Sequence, residues 1–113
     1  SNEAYAADFI ATSDSTLKKC IKAYHPEFID IPYKSFVFKA DSNNFKRIGV
    51  IAQDLQLVRP EFVREDENGI LSVSYRDLHS AEIAYLKDQN KILTEKVNSL
   101  EERLLQIESK LNK

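Results

Sequence analysis

Apolar side chains follow different rules in different stretches of the chain. From about Asp77 onward there is no Gly or Pro, and apolar residues recur on a heptad cycle. Ile83, Asn90, Val97, Leu104 and Leu111 form one row, and Leu86, Leu93, Leu100 and Ile107 form another, offset by three. These are a and d positions sustained along the whole segment, the signature of a coiled coil. The residues that would face each other across such a coil, g to the following e of a second chain, are Glu82/Lys87, Lys96/Glu101 and Arg103/Glu108, with Gln89/Thr94 neutral. Each charged pair is opposite in sign, as a parallel, in-register coil requires. The competing reading, a charged helix folded back on its own core, lacks a second long helix to receive the stripe. Strand number stays open between dimer and trimer on pattern alone. Ile83 and Val97 at a with Leu at d lean to two strands, whereas Leu104 and Leu111 at a with Ile107 at d lean higher. Asn90 at an a position reads as a register pin that trades stability for specificity.

Upstream, the pattern shortens. Thr12-Ser13-Asp14-Ser15 is a run of N-cap residues, and Leu17, Cys20, Ile21 and Tyr24 follow at spacings of three and four. This predicts a short helix over Ser15–Tyr24, with Cys20 in the core and His25-Pro26 as its stop. Alternation around Phe36 and Phe38 predicts a strand. With Asp41-Ser42-Asn43-Asn44 as the turn, Phe36–Lys39 and Arg47–Ile51 would pair as a hairpin. Ala52, Leu55 and Val58 predict one face of a short helix ended by Pro60. A second small strand pair is expected on either side of the polar turn Glu65–Gly69, involving Ile70, Leu71, Val73 and Tyr75. The fold class is therefore α+β: a small head of helix and short strands over 13–76, then a long C-terminal helix over 77–113. Residues 1–12 read as the end of an upstream stalk or linker, with Ser1-Asn2 as a scar of tag removal.

Composition narrows the function classes. The 113 residues allow one domain at most. Six Phe and five Tyr can seed a core, which sets the chain apart from a disordered polyampholyte. With 16 basic and 18 acidic side chains, the net charge of −2 offers no footprint for nucleic acid. No apolar run is long enough to span a membrane. One cysteine, two distant histidines and two glycines argue against a zinc site, other metal catalysis and a glycine-rich phosphate cradle. No cofactor is expected. Since the coil takes about a third of the chain, the head is small enough to need a partner.

One segment could carry chemistry. Ser13 at a helix start with Lys18 about a turn in would make a Ser–Lys pair, able to act as nucleophile and base once the lysine is neutral. Spacing alone favours the plainer reading, an ordinary capped helix start. Asp54 and Glu61 read as solvated and His25 as structural. His79, on the d row, reads as packed or hydrogen-bonded between chains.

The same residues resemble a known family. SDSTLKKCI at 13–21, SFVFK at 35–39, RIGVIAQDLQLVRPEFV at 47–63 and GILSVSYRDL at 69–78, followed by the heptads, are similar in sequence and order to the C-terminal intramolecular chaperone auto-processing domain. That family closes phage tailspikes, tail fibres, neck appendages and endosialidases. The resemblance implies a parallel homotrimer whose partners are its own copies and the upstream stalk of its own polypeptide, with no nucleic acid or membrane partner. It also implies chaperone-assisted folding in the bacterial host cytoplasm during phage assembly, then release by autoproteolysis, so that the mature virion lacks the domain or carries it only transiently. By the same resemblance Ser13 is the nucleophile, Lys18 the general base and Thr12–Ser13 the scissile bond. Asp14 matches the motif with a supporting or capping role. The alternative is a trimerisation and folding module that does not cut.

Overall fold

The computed structural model describes residues 10–112. The expected stalk end at 1–12 therefore lies largely outside the described residues. Among the described residues are four short strands, β1 (Lys34–Phe36), β2 (Arg47–Gly49), β3 (Val63–Glu65) and β4 (Leu71–Val73), and two α-helices, α1 (Ala52–Val58) and α2 (Tyr75–Leu111). Single 3₁₀ turns lie at Ser15–Leu17 and Pro60–Phe62. Both strand pairs are antiparallel, β1 with β2 and β3 with β4. The longest dimension is 74 Å, and the radius of gyration is 21.6 Å. A compact chain of this length would measure about 13 Å, so most of α2 projects away from the head.

Local chemistry explains the turns. Asp41 accepts the amides of Asn43 and Phe45, each at 3.0 Å, closing the loop between β1 and β2. Asp66 does the same for Asn68 and Ile70 at 2.9 Å, and Gly69 there has φ +79°, which glycine adopts without strain. Pro60 begins the 3₁₀ turn after α1, where its missing N–H costs nothing.

The core is small and sits where α1, the second hairpin and the first turns of α2 meet. Ile29, Val50, Leu55, Phe62, Val63, Leu78 and Ala81 are buried, with Leu55 and Leu78 fully so. Tyr75 ties the start of α2 to the end of β2: its hydroxyl accepts the Val50 amide at 3.1 Å. Gly49 is required beside it, since a Cβ there would run into the Tyr75 hydroxyl and come within 3.3 Å of the Phe36 ring. Residues 28–33 form a strap along α2. Phe28 packs on Tyr85 with centroids 5.7 Å apart, Ile29 is buried, and the Tyr33 hydroxyl donates to Glu82.

The α+β head and long closing helix appear as expected, as do α1 and the second hairpin. Three readings need correction. The helix expected over Ser15–Tyr24 is a single 3₁₀ turn, Ser15–Leu17, followed by extended chain. Its stripe has nothing to pack on, since Leu17 and Ile21 stay largely exposed. Cys20, expected in the core, is exposed with φ +56°, a left-handed conformation that no helix interior contains. The second strand of the first hairpin begins at Arg47 as expected, but the first strand ends at Phe36 rather than starting there. Phe38 instead meets Phe36 edge-on at 5.2 Å, outside the ladder.

Candidate functional site

The Ser13–Lys18 segment folds on one local device. Asp14 is the N-cap of the 3₁₀ turn, its carboxylate accepting both the amide of Thr16 at 2.9 Å and its hydroxyl at 2.8 Å. Those bonds stabilise the charged form and hold the Asp14 carboxyl below its ordinary value. The turn closes with Leu17 N–H donating to Asp14 C=O and Lys18 N–H to Ser15 C=O. Its consequence is that Lys18 Nζ lies 2.7 Å from Ser13 Oγ, in donor–acceptor contact within one chain. Helical geometry would set these residues more than a turn apart; the tighter turn lets the lysine fold back. Asp14, engaged on Thr16, is positioned as a cap.

Ser13, Asp14 and Lys18 are all exposed, and Thr12 with them. Among the described residues nothing strips water from the lysine. The Ser13–Lys18 contact is thus a local, solvent-exposed one.

Other residues of the head have structural partners. Glu61 pairs with Arg59 at 2.8 Å, which lowers the Glu61 carboxyl, and the Arg59 guanidinium lies 5.0 Å from the centre of the Phe62 ring. Tyr24 borders a groove with Phe62, Ala81 and Ala84. His79 sits between Tyr33 and Tyr75, at centroid distances of 6.4 and 5.3 Å. Burial and the bond to Glu82 push the Tyr33 hydroxyl upward in pKa, so it remains a donor. The contacts of Thr16 with Asp14 and of Tyr33 with Glu82 were not foreseen from the sequence, where Glu82 was read only as a coil g position. Only Thr16, two residues after a capping Asp, follows a pattern that would have found it.

The a and d rows of α2 form a separate surface. Ile83, Leu86, Leu93, Val97, Leu100, Leu104, Ile107 and Leu111 are all exposed, while Leu78, Ala81 and Tyr85 face the head. At 100° per residue the two faces lie about 140° apart near the start of the helix, so the head leaves the heptad stripe open. No helix among the described residues is long and apolar enough to cross a membrane.

A small head on a projecting helix, with a Ser–Lys contact at its leading edge, defines a head-and-stem module. Residues 13–64 match the Peptidase S74 family, described as chaperone of endosialidase. The match takes in just under half of the chain and supports a relation to the C-terminal intramolecular chaperone domain family. The match covers the 3₁₀ turn, the strap, the first hairpin, α1 and most of β3. No curated protein and no solved structure gives a significant match.

Proposed function

We propose that the domain brings three copies of its chain together through α2, assists folding of an upstream phage fibre or tailspike stalk, and then releases itself by cutting Thr12–Ser13. The observation that carries this reading is the 2.7 Å contact between Lys18 Nζ and Ser13 Oγ. It lies directly after the bond to be cut, in a segment matched by the chaperone family.

The reaction follows from that adjacency. Neutral Lys18 takes the Ser13 hydroxyl proton while Oγ attacks the Thr12 carbonyl carbon. The Thr12 C–N bond then breaks, the Ser13 nitrogen receives the proton held by Lys18, and an ester joins Thr12 to Ser13 Oγ. Water hydrolyses the ester, leaving the Thr12 carboxylate and a free Ser13 hydroxyl. Nucleophile and carbonyl are neighbours in the chain, so effective molarity is high without substrate binding. Lysine works as the base only when neutral, and exposure keeps it solvated. Neighbouring copies covering this edge would exclude water and favour the neutral amine. Leu17 and Ile21, exposed on the same segment, supply apolar surface for such cover. Cleavage thus waits for assembly.

The test is to express the domain behind its upstream stalk as wild type, Ser13→Ala and Lys18→Ala. Wild type separates into two pieces, and both variants assemble as trimers but stay joined. Cleavage that persists in Ser13→Ala refutes the assignment. A wild-type rate unchanged by dilution through the dissociation range refutes the dependence on assembly.

A further inference from the structure

We propose that Glu82 joins the head to the coil, holding Tyr33 of its own chain on one side and receiving Lys87 of a second copy on the other. The proposal rests on the parallel-coil reading above. The Tyr33 hydroxyl, 49 residues earlier in the chain, donates to Glu82 Oε1. The second carboxylate oxygen has no protein partner among the described residues. Glu82 is at a g position, and the residue a parallel neighbour presents to it is Lys87 at e. Lys87 is exposed and likewise makes no ion pair among the described residues.

The coupling has a physical origin. An exposed Glu–Lys pair gains little, because two long side chains must be fixed in one geometry. Here Tyr33 has already fixed one of them, and Tyr33 is itself held by the strap and by the His79 ring. The carboxylate is therefore presented in a set direction only when the strap is docked on α2. The pairs Lys96/Glu101 and Arg103/Glu108 lie farther along the helix, and no head contact to them is present among the described residues. They form an internal control in the same molecule. A docked head thus favours the in-register coil, and an in-register coil favours a docked head, since such coupling is reciprocal.

The experiment measures dissociation of the 113-residue chain by sedimentation equilibrium. Lys87→Gln and Lys96→Gln are each placed in the wild-type and Tyr33→Phe backgrounds. With Tyr33 present, Lys87→Gln weakens association about 2- to 5-fold per pair. In the Tyr33→Phe background that loss shrinks towards none, while the Lys96→Gln loss is the same in both. Glu82→Gln keeps an acceptor for Tyr33 but removes the charge, so it reproduces the Lys87→Gln loss and renders Lys87→Gln silent. Equal Lys87→Gln losses in both backgrounds, within a chain that still assembles, overturn this proposal alone. A chain that stays monomeric at every concentration overturns it together with the coil reading.

Discussion

Leu93 and Leu105 are both leucines on α2, and both are exposed in the single chain, by 57% and 65%. Leu93 is on the d row; Leu105 is off both rows. If α2 were a solitary helix, truncating either to alanine would have the same small effect. In the coil only Leu93 becomes buried. Full burial of a leucine stabilises by about 1.5–3 kcal/mol, and somewhat over half of the Leu93 side chain is still available to be covered. Adding the space left behind when alanine replaces it brings the expected loss to about 2 kcal/mol per chain. The unfolding entropy of a chain of this length is about 0.24 kcal/mol/K, so Leu93→Ala lowers Tm by about 8 °C. Leu105→Ala changes stability by at most about 0.5 kcal/mol, a shift of about 2 °C in either direction. Thermal unfolding followed by circular dichroism at fixed protein concentration reads both. Equal shifts for the two variants would refute the argument that the a and d rows are an assembly surface.

Two further outcomes follow from the head. Asp14→Ala removes the cap that folds Lys18 back on Ser13, so cleavage behind the stalk slows by about 3- to 10-fold, whereas Asp14→Asn, which still caps, restores most of the rate. Because the Asp14 carboxyl is held low, the cap is fully present above the ordinary value of 3.8 and is lost as pH falls through the lower folded value. An NMR titration of the Thr16 amide should have its midpoint below 3.8, and a midpoint at or above it contradicts the cap. Gly49→Ala forces a Cβ into the Tyr75 hydroxyl and costs about 1–3 kcal/mol in denaturant unfolding. In a Tyr75→Phe background the same change should cost less, and an undiminished cost would place the strain elsewhere.

What could be read from the sequence depended on whether a feature rested on a regular or local pattern. Helix α2 was legible because its periodicity runs unbroken, and α1 because Leu55 finds its core within the head. The Asp41 and Asp66 turns were legible because their hydrogen bonds span only a few residues. The helix expected at Ser15–Tyr24 failed for the opposite reason. Leu17, Cys20, Ile21 and Tyr24 have helical spacing, but Leu17 remains 74% exposed, and amphipathic spacing stabilises a helix only when its apolar face is covered. Strand β1 was displaced because Phe36 and Phe38 pack on each other rather than extending the ladder. The Ser13–Lys18 contact was anticipated as a pair, although through a helical turn instead of the 3₁₀ turn capped by Asp14. The Tyr33–Glu82 contact was invisible, since a contact across 49 residues leaves no local pattern.

The central proposal is that this domain cuts its own polypeptide at Thr12–Ser13 with Ser13 and Lys18. Intact-mass analysis of the fragment released from the stalk-bearing protein tests it most directly. The account predicts a C-terminal piece beginning at Ser13, formed by wild type and absent from Ser13→Ala and Lys18→Ala. A piece beginning at any other residue, or one that Lys18→Ala still produces at the wild-type rate, would contradict it.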